Sequence, residues 1–121
     1  MHKRLNAKET DAVRRLLVRL RAELLGDIGE LERSALGETE RAAIDSPADS
    51  GTDAFAQEFS LELLARDEAT LGEVEEALQR IEAGTFGLCE ECSEPIPKAR
   101  LEAVPHARNC VTCQRDLEAR A

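Results

Sequence analysis

Tryptophan and tyrosine are absent from this 121-residue chain, and Phe55, Phe59 and Phe86 are its only aromatic residues. That is too little aromatic bulk for an ordinary globular core of this length, since aromatic side chains dominate the energetics of such cores. Long apolar runs are missing too. A membrane helix needs about 18 consecutive apolar residues, and the sequence has no such run, so no membrane span is expected. The opening Met1-His2-Lys3-Arg4-Leu5-Asn6-Ala7-Lys8 is too polar for the apolar centre of a secretory signal peptide. A reduced, cytoplasmic setting is the expectation.

Positive charge is scarce. Sixteen Lys and Arg face 25 Asp and Glu, for a net charge of −9. The imbalance is uneven: residues 1–25 carry +4 and the remainder −13. Wrapping a phosphate backbone requires clustered Lys and Arg, so direct sequence-specific nucleic-acid binding is not expected. The basic N-terminal stretch is small, but it suits an acidic patch on a protein partner. Histidine is limited to His2 and His106. With the cysteines assigned as below, no free nucleophile stands beside either one, so no enzymatic activity is expected.

The feature around which the chain is organised is a set of four cysteines, Cys89-x-x-Cys92 and Cys110-x-x-Cys113, separated by 17 residues. Each pair lets one tight turn aim two thiolates at a point, and the separation falls in the range of four-cysteine zinc sites. Two disulfides would suit a small secreted domain, and a thioredoxin-like motif would need a βαβ pattern; neither context is present. The reading is one structural Zn2+, closed to water and substrate because four thiolates complete a tetrahedral shell. That leaves His106, inside the loop between the pairs, without a ligand role. Gly84 stands where the preceding helix should stop, Gly87 can supply an unusual backbone angle, and Pro95 and Pro97 bar regular structure after the first pair. A short polar run from Gln114 to Arg120 reads as a terminal helix.

Upstream, the chain is rich in Leu, Ala, Glu and Arg, a composition typical of long helices and coiled coils. From about Ala7 to Ala43, Val13, Leu17, Leu20, Leu24 and Leu31 recur in steps of four and three, and Leu16, Leu25 and Ile28 widen the stripe. Gly26, Gly29 and Gly37 each cost about 1 kcal/mol relative to Ala, so loosening is expected between them. The run from Asp45 to Asp53, with Pro47 and Gly51, is turn chemistry, and Thr52 or Asp53 is placed to cap the next helix. A second helix is expected from about Ala54 to Ala83, carrying Leu64, Leu71, Val74, Leu78 and Ile81, with Phe55 and Phe59 closing the top of the hairpin. The expected fold is all-α: a long antiparallel coiled-coil hairpin over 1–83 with an acidic tip at 45–53, then a zinc module with a short C-terminal helix over 84–121. A self-contained hairpin of this kind is expected to be a monomer.

Three stretches together resemble the DksA/TraR family of bacterial transcription regulators. These are Gln57-Glu58-Phe59-Ser60-Leu61-Glu62-Leu63, then Gly84-Thr85-Phe86-Gly87-Leu88-Cys89, then Pro95-Ile96-Pro97-Lys98-Ala99-Arg100-Leu101-Glu102-Ala103-Val104-Pro105. The resemblance is good over residues 45 to about 117, while the first helix is similar in length and character. It implies a protein that binds RNA polymerase rather than DNA. It also implies a zinc end built from both chain termini, and a hairpin that enters the secondary channel and offers tip acids to the active centre to alter promoter complexes. The matching acids are Asp45, Asp49 and Asp53.

Two departures qualify that implication. The tip reads Asp49-Ser50-Gly51-Thr52-Asp53-Ala54, with three residues between the acids where the best-known members have two. It is similar to a branch with a Gly-Thr-Asp tip. Val104 and Gln114 replace an arginine and a lysine of the surface that binds the alarmone ppGpp, so a role for ppGpp is left open. Two alternative readings stand beside it: a zinc-stabilised helical interaction module, and a transcript-cleavage-type factor acting in the same channel, a class that resembles this architecture without sharing these cysteines.

Overall fold

A computed structural model describes the backbone of residues 3–44 and 50–121, and the side chains of residues 3–34 and 54–121. Four helices follow one another: α1 (Ala7–Ile44), α2 (Ser50–Ala83), α3 (Lys98–Ala103) and α4 (Val111–Arg120). Among the described residues the only β pairing is an isolated antiparallel bridge between Leu88 and Pro95. The chain divides into two compact units, one made of Met1–Arg21 with Glu73–Ala121, the other of Ala22–Gly72. The start of α1 thus shares a unit with the end of α2, and the end of α1 shares the other with the start of α2. That is the pairing of an antiparallel hairpin.

The start of α1 is fixed by a reciprocal capping box. The Asn6 side chain accepts from the Glu9 backbone N–H at 2.8 Å, and the Glu9 carboxylate accepts from the Asn6 N–H at 3.1 Å. Two of the amides a helix start leaves unpaired are satisfied in this way. The Asn6 N–H, and after it the Lys98 ammonium, hold the Glu9 carboxyl below its usual range. Lys98 lies 3.1 Å from Glu9 and so ties the first turn of α1 to α3. From Ala7 the helix continues unbroken to Ile44, so the glycines expected to loosen it do not interrupt it.

In the unit that holds both chain ends, Val13 and Leu17 of α1 are buried with Val74, Ala77 and Ile81 of α2 and with Phe86, Ile96, Leu101 and Ala107. The zinc region and the base of the hairpin therefore share one core. At α2's C-terminus, Gly84 adopts φ 77°, the left-handed conformation that ends helices. Its carbonyl accepts a bond from the Arg4 guanidinium, which anchors the N-terminal segment. Arg80 reaches Glu90 at 4.0 Å, and Arg108 pairs with Glu76, so ionic contacts join α2 to both cysteine loops.

In the other unit Leu24 and Ile28 are buried, Leu31 is half-buried and Leu25 is half exposed. Leu25 is a correction to the expected stripe: it follows Leu24 directly and so points about 100° away from it. Phe55 and Phe59 correct a second expectation, since they are 73% and 55% exposed and close nothing among the described residues. The reason is register. Counting back in sevens from Val74 and Ala77 gives Asp67, Thr70, Ser60, Leu63 and Ala56, all half-buried, and both phenylalanines fall one place outside that seam.

Two boundaries also differ from the sequence reading. Helix α2 begins at Ser50, so Thr52 and Asp53 lie inside its first turn rather than at its cap. Helix α3 was not anticipated: Pro97 precedes it, and its carbonyl accepts from the N–H groups of Arg100 and Leu101 at 3.0 and 3.2 Å. A proline is well suited to a helix start, where its missing N–H costs nothing. Among the described residues no helix is long and apolar enough to cross a membrane.

Candidate metal centre

The two cysteine pairs are carried by different local structures. Cys89 and Cys92 sit on a tight loop. The Cys89 N–H donates to Glu94 O at 2.8 Å, the Ser93 N–H donates to Cys89 O at 2.9 Å, and the Ile96 N–H returns to Gly87 O at 2.8 Å. Gly87 takes φ 89° to start this loop, where any residue with a Cβ would be strained. Cys110 precedes α4 and Cys113 lies in its first turn, where the Gln114 N–H donates to Cys110 O at 2.9 Å. A bond from the Glu90 N–H to Arg108 O at 3.0 Å stitches the two loops together. The expected terminal helix therefore starts three residues earlier than Gln114 and includes one of the cysteines.

Ser93 was not singled out from sequence, yet it is the one non-glycine residue with positive φ among the described residues, at 63°. The left-handed conformation costs an L-residue with a Cβ about 1–2 kcal/mol. Replacing Ser93 by glycine should therefore stabilise the zinc-loaded protein by roughly 1 kcal/mol. A denaturant midpoint shifted upward with unchanged slope would be the expected reading.

The four sulfurs converge. All lie within 4.8 Å of one another, with Cys92 Sγ 4.0 Å from Cys110 Sγ. Zinc–sulfur bonds of about 2.3 Å arranged tetrahedrally put sulfurs about 3.8 Å apart, so one ion fits between them with only small adjustments. None of the four is bonded to another as a disulfide. Their acidities fit a cation as well. Burial opposes ionisation of Cys89, but backbone N–H groups of Cys92, Cys110 and Glu91 outweigh it and bring the thiol down to about 6. Cys113 is pushed upward, first by its contact with Cys110 and then by burial. At Cys92 the Glu94 amide favours the thiolate, yet the contact with Cys89 and burial leave the thiol above its usual value. Four thiolates so close together repel, and a divalent cation at their centre removes that penalty.

His106 stands outside this cluster. Its Nε2 is 3.6 Å from a Glu73 carboxylate oxygen on α2. Burial pushes its pKa below the ordinary value; Glu73 opposes that shift, and Arg100 and Arg80 add to it. The folded state therefore binds fewer protons than the unfolded state just below the ordinary histidine pKa of about 6.5. Stability attributable to this site is complete above that value and declines as the pH falls below it. Zinc-loaded protein should melt at progressively lower temperature from about pH 7 to pH 5.5, and His106→Gln should flatten part of that decline. An unchanged pH profile in the variant would remove His106 from the account.

Of the predicted tip acids, Asp45 and Asp49 lie outside the described residues. Asp53 lies in α2, and its side chain is not among those described.

Comparison with known proteins agrees with this architecture. Residues 84–119 match the prokaryotic dksA/traR C4-type zinc finger. The chain is 34% identical over 116 residues to general stress protein 16O of Bacillus subtilis, covering 94% of this chain and 71% of that protein. It is 34% identical over 119 residues to the RNA polymerase-binding transcription factor DksA of Caulobacter vibrioides, covering 96% and 80%. An uncharacterised protein of Aquifex aeolicus is 41% identical over 70 residues, which are 58% of this chain and 48% of that longer one. The structure of transcription factor DksA2 from Pseudomonas aeruginosa superposes with a TM-score of 0.84 at 31% identity, covering 95% of this chain and 87% of that one. The chain belongs to the DksA/TraR family. Its cofactor is one structural zinc ion, as the C4-type finger and the converging sulfurs require.

Proposed function

We propose that this protein is a transcription regulator that binds RNA polymerase through the secondary channel. Cys89, Cys92, Cys110 and Cys113 are the zinc ligands, and the module over 84–121 is the foundation of a hairpin over 1–83. Asp45, Asp49 and Asp53, the last of them in the first turn of α2, are the acids the hairpin offers to the active centre. Support comes chiefly from the near-full-length likeness to a transcription factor, DksA2, at a TM-score of 0.84. The net charge of −9 also favours a protein partner over a phosphate backbone. A catalytic magnesium ion is a strong local charge, so carboxylates brought near it can alter promoter complexes without any chemistry of their own. The protein acts as a monomer in the cytoplasm, as a regulator and not as an enzyme.

The test is a double variant, Asp49→Asn with Asp53→Asn. It should fold with normal zinc content and bind polymerase like the parent, while its effect on promoter complexes in a purified transcription reaction is lost. Regulation retained at full strength by the double variant would sink the role given to the tip.

A further inference from the structure

Asn109 is the one buried polar residue among the described residues, 7% exposed. Its carboxamide lies between the metal centre and α4. One end is 3.7 Å from Cys89 Sγ, and the other is 3.5 Å from the Gln114 side-chain amide, which in turn reaches Glu118 at 3.2 Å. Helix α4 contains no buried residue. Beyond the half-buried Leu117, the cysteines around its start and this short chain of side-chain bonds hold it to the rest of the module. A buried amide is expected to have both ends satisfied.

With a free thiol, Cys89 S–H donates to Asn109 Oδ1, and Asn109 Nδ2 donates to Gln114 Oε1. A zinc-bound cysteine is a thiolate and has no proton to give. The same contact then holds together only if Asn109 donates to the sulfur. A half-turn about its Cβ–Cγ bond achieves this without moving a backbone atom, because the amide O and N are nearly equal in size.

We propose that Asn109 is a positioning residue of the zinc centre: its Nδ2–H donates to the Cys89 thiolate, and its Oδ1 accepts from Gln114 Nε2. This rests on zinc being held by the four sulfurs. The hydrogen bond withdraws negative charge from one of four crowded thiolates and fixes the direction of its lone pairs. Outer-shell partners of this kind set metal affinity. Gln114, turned to follow Asn109, presents its oxygen to Glu118, whose exposed carboxylate swings into water. The metal and the start of α4 are thereby linked through one amide.

The experiment measures zinc affinity by chelator competition, with the thiolate-to-metal charge-transfer spectrum of the cobalt(II)-substituted protein as a second readout. Asn109→Asp keeps the shape but removes the donor, and should weaken zinc by roughly 10- to 100-fold with a shifted cobalt spectrum. Gln114→Glu should also weaken zinc, because a carboxylate there draws Nδ2 away from the sulfur. Glu118→Ala should leave affinity unchanged. Wild-type affinity and an unshifted spectrum in Asn109→Asp would overturn the proposal, as would tighter zinc binding by Gln114→Glu. The unaltered protein provides a test independent of variant folding. In the zinc-loaded form the Asn109 side-chain amide protons should be protected from solvent exchange by NMR, and exchange at the rate of a free amide would also overturn it. A wild-type chain that failed to bind zinc would remove the proposal together with the metal centre itself.

Discussion

Serine in place of Cys110, or removal of zinc by a chelator, should abolish the fold of the cysteine module. Metal binding free energies of about 10–16 kcal/mol are typical of small zinc modules, and that energy is folding energy. The whole protein is expected to be stable by only about 5–15 kcal/mol, so the loss cannot be absorbed locally. Helix α4 should be released first, since none of its residues is buried. Helix α3 should follow, because its own Leu101 and the neighbouring Ile96 are buried against a module no longer closed. These two helices hold 6 and 10 residues, against 38 and 34 in α1 and α2. The far-UV helical signal should therefore fall by roughly a fifth if α1 and α2 persist, and further if the shared core at the base of the hairpin loosens with them. Melting unchanged by a chelator that demonstrably strips the metal would contradict a structural role for zinc.

The next largest effect should come from the core that joins the hairpin to that module. Leu17 is 0% exposed, and the same unit buries Val74, Ala77 and Leu101. Leu17→Ala removes apolar area and leaves a cavity, which together cost about 2–5 kcal/mol. The informative control is Leu25→Ala. Leu25 belongs to the same sequence stripe but is 52% exposed, so its truncation should change stability by about 0.5 kcal/mol or less. Paired denaturant titrations of the two variants would separate burial from hydrophobicity. Equal destabilisation would mean that the helix faces are assigned wrongly.

The contrast between Leu17 and Leu25 also shows how far the sequence could be read. Spacing in steps of three and four identifies a helix and its apolar side, but it cannot place the edge of a stripe to within one residue. That edge depends on the partner helix. The same uncertainty put Phe55 and Phe59 at a closed end of the hairpin, where a count in sevens from Val74 leaves them outside the seam. The cysteines were legible because the chemistry of one tetrahedral ion dictates their spacing. The capping box was equally available in Asn6-x-x-Glu9. By contrast, the left-handed Ser93 belongs to a loop closed by backbone bonds that carry no side-chain signature, and the amide chain through Asn109 reaches Cys89 only when two distant loops meet. Helix α3 lay hidden behind two prolines that end extended structure and start a helix with the same residues.

The measurement closest to the central claim is binding of the zinc-loaded protein to its cognate core RNA polymerase, with a Gre-type factor as competitor. Saturable binding that the competitor displaces is the predicted result, because both would occupy the secondary channel. No binding by protein of verified zinc content, or binding that the competitor leaves untouched, would contradict the channel-regulator account while leaving the fold and the metal centre in place.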